Sequence, residues 1–345
     1  MTLPTTYSAA LLLTVLTMLC WGSWANTFKL TGKLTKQWRF ELFYYDYSMG
    51  VFLLALVAAL TLGSSGFDGL PFFDNLMDSG HKRWAFGLAG GVVFNLANML
   101  LVAAISVAGL AVAFPVGIGL ALVVGVIWNY ALNPQANPLL LFGGVALVMG
   151  AIVLDAMAYA AHARSRPAVE GAKPKGIGKG IVLSLICGVL MGSFYPLVQM
   201  GTTGENGLGP YAVGFLFSIG VLLSTVVFNL FFLNFPVEGP PVEMRDYFRG
   251  SLKDHALGIA GGAVWCLGTI ANFAAASTPK EVQVGPAVSY AIGQGATMVS
   301  ALWGLLVWKE FAGANARVKT LLALMLLLFA IGLAMISVAP LYSHS

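Results

Sequence analysis

Two asparagines, Asn95 and Asn98, stand three residues apart in a stretch from Trp84 to Leu132 that contains no Asp, Glu, Lys or Arg. A second apolar stretch carries Trp265, Thr269 and Asn272 at the i, i+4, i+7 spacing of one helix face. A third carries Ser289, Tyr290 and Gln294, and two more hold Trp21, Trp24, Asn26, Tyr195 and Gln199. Amides donate and accept hydrogen bonds, as hydroxyl- or ureide-bearing ligands require. An aromatic face stacks on a sugar ring or a planar heterocycle. With no charge at the same depth, these groups describe a pocket for a neutral polar solute. The competing reading is that they bridge helices through interhelical hydrogen bonds. The candidate solute contacts are Trp24, Asn26, Asn95, Asn98, Tyr195, Trp265, Thr269, Asn272, Tyr290 and Gln294.

Two carboxyls, Asp46 and Asp155, fall inside apolar runs and are candidates to carry a coupled proton. A helix-end carboxylate beside water is their plainer reading, and Lys29 and Lys309 read as side chains that snorkel to headgroups. Catalysis finds no support. There is no His-Glu-x-x-His and no intramembrane aspartate pair, and none of His81, His162, His255 and His344 is placed mid-span. Asp74 and Asp78 form a lone Asp-x-x-x-Asp, too little for a diphosphate–magnesium site. Cys20, Cys187 and Cys266 lie in apolar runs without metal or redox spacing. Neither an enzyme, a cofactor, a metal site nor a nucleic-acid partner is expected.

The elements that position these groups follow from composition. Apolar residues make up 58% of 345 positions, charged residues 9%, and mean hydropathy is +0.84. A soluble domain carries roughly a quarter charged residues, so lipid must be the solvent here. A span takes about 20 apolar residues. Ten are placed near 7–28, 43–63, 84–107, 110–132, 138–160, 180–200, 210–233, 256–276, 283–308 and 317–338, with the turn between the third and fourth at Ser106 to Gly109. The first run, Tyr7 to Phe28, lacks a positive flank and a cleavage site, so it reads as a span and not as a signal peptide.

Positive loops stay cytoplasmic. Lys82, Arg83 and Lys280 fall on the side shared with the termini, and the other 15 of the 18 Lys and Arg fall on the opposite side. Both termini are therefore expected outside a plasma (inner) membrane, with Ser345 extracytoplasmic and Ala172 in a cytoplasmic linker.

An internal repeat is visible as well. Gly87, Gly90 and Gly91 map onto Gly258, Gly261 and Gly262 at an offset of 171, which also carries Phe94 onto Trp265, Asn98 onto Thr269 and Pro115 onto Pro286. Gly22-Ser23-Trp24 matches Gly192-Ser193-Phe194. Five spans per half is an odd number, so the halves lie in opposite orientations. The expected fold is an all-α membrane protein of ten helices in two inverted five-helix repeats, 1–162 and 180–345, joined by a basic linker at 163–179. Gly87 with Gly91 and Gly258 with Gly262 are small-xxx-small pairs for close helix packing, or for a surface that slides during transport. Inverted repeats of this kind place a solute site near the midplane.

The chain resembles the ten-span branch of the drug/metabolite transporter superfamily that holds glucose/ribose uptake proteins, the rhamnose–proton symporter and ureide permeases. Cys20-Trp-Gly-Ser-Trp24, Tyr45-Asp-Tyr47, Leu88-Ala-Gly-Gly-Val-Val and Asn95-Leu-Ala-Asn98 are similar to ureide permease segments. Phe28-Lys29, Trp38-Arg-Phe-Glu41 and Trp308-Lys-Glu310 are similar to the rhamnose symporter. The resemblance implies proton-driven uptake of a sugar or a ureide- or nucleobase-like solute. One departure is the short linker, where Gly171-Ala-Lys-Pro-Lys-Gly176-Ile replaces a large central loop and lacks the Lys-Ser/Thr of a phosphate-binding loop. Export of drugs or metabolites, and a non-transporting scaffold or sensor subunit, stay open as alternatives. The partners expected are a small-molecule substrate, protons and the bilayer, with oligomeric state unassigned.

Overall fold

A computed structural model describes residues 1–31, 38–66, 68–165, 177–236, 240–278, 282 and 284–342. The described residues form helices and connections without a strand. Ten helices are long and apolar enough to cross a bilayer: Tyr7–Thr31, Phe40–Leu60, His81–Ala108, Val112–Leu132, Pro138–Ser165, Gly178–Thr202, Pro210–Asn234, Leu252–Ala276, Pro286–Val307 and Ala316–Tyr342. They are numbered here as spans 1 to 10. Each expected span is present. Leu12, Leu139, Val227 and Leu306 stand exposed on their outer faces, where hydrocarbon solvates them. Residues 166–176 of the basic linker lie outside the described residues, as do Ala172, Ser345, His344, Lys33, Lys36 and Lys280.

Local chemistry explains where helices begin and stop. Gly109, at φ 79°, closes span 3 by donating its N–H to Ile105 O at 2.8 Å. A side chain there would meet the left-handed penalty of about 1–2 kcal/mol. Ser251 and Asp254 form a capping box that opens span 8. Two interruptions were not foreseen from the spacing of apolar residues. Span 1 breaks at Trp24, and span 9 breaks between Gly293 and Ala296 before ending in a π-turn, Trp303–Val307.

Spans 3 and 8 are the two central helices. Span 3 packs on spans 6 and 7, and span 8 packs on spans 1 and 2. The glycines make these contacts close. A Cβ on Gly91 would meet the backbone of Phe217 and Val221, and one on Gly262 the backbone of Tyr47 and Val51. Likewise Gly220 faces the Leu88 carbonyl and Gly50 the Ile259 carbonyl. Every member of one contact set has its counterpart 170 or 171 positions away, earlier or later, in the other. Phe94 and Trp265, themselves 171 apart, stack directly with centroids 4.3 Å apart. The correspondence weakens in spans 4 and 9, where Pro115 lies inside a continuous helix but Pro286 opens a broken one.

Gly91→Val and Gly262→Val should each lower the melting temperature of the detergent-solubilised protein, by the 1–3 kcal/mol typical of overpacking or more. Gly178→Ala, whose Cβ would meet nothing within 4 Å, should leave it unchanged or raise it. Equal melting of all three would show that close backbone approach does not hold these helices.

Candidate functional site

A cavity of about 680 Å³ opens among the ends of spans 4, 6, 7, 8 and 9, on the side of the N-terminal residues. That volume is typical of a small-molecule pocket. Met1, Leu3, Asp68 and Glu205 belong to its wall, as do Gln135, Gln199, Thr202, Ser277 and Thr278. A narrow recess shares Gln199, Thr202, Ala276, Ser277 and Pro286 with this vestibule and adds Tyr195, Val198 and Phe273. The recess lining contains amide, hydroxyl and aromatic groups and no charged side chain.

Behind the recess, polar groups are already paired. Tyr195 donates its hydroxyl to Asn272 Oδ1 at 2.5 Å. Asn272 Nδ2 donates to Ser289 O at 3.1 Å. Tyr290 lies 5.4 Å from Tyr195, ring to ring, and its hydroxyl reaches Ala121 O at 3.2 Å and Met191 O at 3.3 Å. One layer on, Trp265 stacks between Phe94 and Trp21, and Trp21 Nε1 donates to Thr269 Oγ1 at 3.1 Å. Gln294 marks the break in span 9, its backbone N–H on Tyr290 O at 3.2 Å. Tyr195, Trp265, Thr269, Asn272 and Tyr290 are thus brought together. They form a packed layer beneath the cavity, and Tyr195 is the one among them that lines the recess.

The remaining expected contacts point elsewhere. Asn95 is fully buried against span 7, with Nδ2 on Ser224 Oγ at 2.8 Å and Thr225 Oγ1 at 3.1 Å. Asn98 donates to the Tyr44 hydroxyl of span 2 at 3.0 Å. Three residues turn a helix by about 300°, which leaves the two amides far enough apart to serve different neighbours. Trp24 sits at the break of span 1 with its ring 4.8 Å from Tyr47. Asn26 lies nearer the far end of that span, accepting from Trp308 Nε1 at 2.6 Å.

Two polar clusters occupy the end of the bundle opposite the vestibule. Asp46 accepts from the Tyr247 hydroxyl at 2.6 Å and faces His255 Nδ1 at 2.7 Å, with Trp38 edge-on to His255. Burial, and then the Asp46 carboxylate, raise the Tyr247 phenol above its ordinary pKa. In the other cluster, Glu310 pairs with Lys29, accepts from Tyr159 at 2.8 Å and offers its backbone carbonyl to His162 at 3.0 Å. Asp155 is buried beside this cluster, with Oδ1 free of any hydrogen-bond partner.

Sequence reasoning missed the His255 and Tyr247 partners of Asp46, which lie over 200 positions away. It noted Gln199 without ranking it among the contacts. Yet among the described residues Gln199 is the side chain with two sealed polar atoms, Oε1 and Nε2, that both lack a partner. A buried amide of that kind calls for an explanation. Its position one turn beyond Tyr195 on span 6 was the available signal.

Ten apolar spans with a cavity of solute size among their ends are the build of a multi-pass membrane transporter. The ureide permease family matches residues 43–174 and 173–339, and the chain belongs to that family, one of permeases and not of enzymes. Ureide permease 1 of Arabidopsis thaliana is 25% identical, over 93% of this chain and 94% of that protein. Ureide permease 5 of the same species is 26% identical, over 95% and 94%. A solved crystal structure 18% identical in sequence shares the fold, with a TM-score of 0.58 over 95% of this chain and 98% of that one.

Asn95→Ala tests the division between packing and solute contact. Ser224 and Thr225 keep their bonds to Gly220 O and Val221 O, so the loss is that of ordinary neutral bonds, about 0.5–1.5 kcal/mol each. The variant should melt earlier and keep its solute affinity. Weakened affinity at unchanged melting temperature would return Asn95 to the solute site.

Proposed function

We propose that this transporter takes up a small neutral solute of the ureide or nucleobase class by proton symport, across a plasma (inner) membrane, with both termini extracytoplasmic. The observation that carries the reading is the uncharged recess of Gln199, Tyr195, Thr202 and Phe273 at the floor of the vestibule. A neutral, planar, hydrogen-bonding solute suits such a lining. The names of the relatives, ureide permeases 1 and 5, point to the same class. Export of an amphipathic cation suits it less, because the floor offers no carboxylate. We place the family in the drug/metabolite transporter superfamily, beside glucose/ribose uptake proteins and the rhamnose symporter, on the short motifs the chain shares with them.

We further propose that residues 1–162 and 180–345 are inverted repeats, joined by the 163–179 linker and related by an axis through the Phe94–Trp265 stack. Reciprocal glycine contacts support this reading. Two packings of similar energy would then expose the recess alternately to either side. In the course of that exchange, Trp265, Thr269, Asn272, Tyr290 and Gln294 would come to face the solute. Asp46 and Asp155 are the proposed proton carriers: one bridges spans 2 and 8 through His255, and the other lies buried beside the Glu310 cluster.

Two outcomes are expected. In proteoliposomes, an uncoupler should abolish accumulation of a labelled ureide, and Asp46→Asn or Asp155→Asn should retain exchange while losing accumulation. Wild-type pH dependence in both variants would remove these carboxyls from the mechanism. For orientation, all three native cysteines are buried, so a cysteine introduced at exposed Thr203 should react with an impermeant thiol reagent on intact cells. One at Lys179 should react only after permeabilisation. The reverse pattern would overturn the placement of the termini.

A further inference from the structure

We propose that Gln199 is the residue that reads the solute, pairing its side-chain amide with a planar edge on which C=O and N–H are adjacent. The inference rests on the ureide reading above and assigns its recognition to one side chain. Gln199 is only 4% exposed, and neither Oε1 nor Nε2 has a hydrogen-bond partner. It lines both the vestibule and the recess, with Tyr195 and Phe273 as aromatic neighbours.

The backbone of Gln199 is held while its amide is not. Its carbonyl accepts from the hydroxyls of Thr202 at 3.0 Å and Thr203 at 2.6 Å, and from the Thr203 N–H at 3.1 Å. Those bonds fix span 6 at the point where the amide projects. Behind it Tyr195 is bound to Asn272 and Asn272 to Ser289, while in the vestibule wall Gln135 Oε1 also lacks a partner. A free primary amide offers one acceptor and two donors in a plane. Its complement is an amide or imide edge, which returns one donor and one acceptor and closes a ring of two hydrogen bonds. The flanking aromatics supply faces for the same flat molecule. The recess is narrower than such a solute, so the pairing forms as the solute descends from the vestibule and the recess widens around it.

The probe is hydantoin, a cyclic ureide, compared with 1,3-dimethylhydantoin, which keeps the ring and loses both N–H donors. Binding is measured by calorimetry on purified wild-type protein and on the Gln199→Met and Gln199→Glu variants. Wild type should bind hydantoin about tenfold or more tightly than the dimethyl compound, as the loss of a two-bond edge requires. Gln199→Met should lose that factor for hydantoin and no longer distinguish the two ligands. Gln199→Glu, with two acceptors and no donor, should fare no better. Gln199→Met should also melt no earlier than wild type, because it removes an unpartnered buried amide. Equal binding of the two ligands by wild type overturns the proposal without reference to any variant. So does a Gln199→Met protein that still discriminates between them. A wild-type protein that binds no hydantoin overturns the ureide reading, and this proposal falls with it.

Discussion

Close backbone contact at four glycines is the constraint on which the rest of this bundle depends. Gly91 and Gly220 bring spans 3 and 7 together, and Gly262 and Gly50 do the same for spans 8 and 2. Lipid gives helices no hydrophobic reason to associate, so close packing and interhelical hydrogen bonds must do it. Once those backbones touch, Phe94 and Trp265 are carried into the centre, where they stack. The aromatic layer they anchor extends through Trp21, Phe217 and Tyr47. The vestibule has a floor because that layer fills the middle of the bundle. A larger residue at any of the four positions would part the helices and loosen the layer beneath the vestibule.

The second constraint is that polar groups inside hydrocarbon need partners from the protein. It sorts the amides that look alike in the sequence. Asn95 binds span 7, Asn98 binds Tyr44, and Asn272 links Tyr195 to Ser289. Each of them holds two helices at a fixed distance. Gln199 differs in lacking any such partner. Asn95 keeps its Nδ2 bonded although its Oδ1 is not, whereas Gln199 has neither amide atom bonded and lies beside the cavity.

How far these distinctions were legible beforehand depends on their range along the chain. Spans, the Gly109 turn and the glycine offset all follow from patterns within about 30 residues or from a repeat, and the structure bears out the spans and the turn. The small-xxx-small glycines were read as close-packing positions, and they are. Pairings such as Asp46 with His255, or Tyr159 with Glu310, join residues more than 150 positions apart and leave no local trace. The break in span 9 had a trace, Gly293-Gln294-Gly295, but apolar periodicity runs through it unbroken. Asn95 and Gln199 could not be told apart at all, because each lies in an apolar helix and only the neighbour that arrives in the fold decides between them.

The separation of the two kinds of site constrains how they can work together. His255 opens span 8 on one side of the bundle, and Ala276, at its other end, lines the vestibule. At 1.5 Å per residue that is about 30 Å, where two unit charges at an effective dielectric of about 20 interact by only about 0.5 kcal/mol. On the proposed coupling, a proton arriving at Asp46 would therefore act on a solute near Gln199 through helix movement and not through direct charge. Span 8 is the natural carrier of that movement. It bears His255 at one end, Gly262 on span 2 and Trp265 in the aromatic layer at its middle, and Asn272 behind the recess. In that reading, breaking the Asp46–His255 contact would free the end of a helix whose middle is closely packed on span 2, and a tilt would reach Asn272 and, through its bond to Tyr195, the wall of the recess.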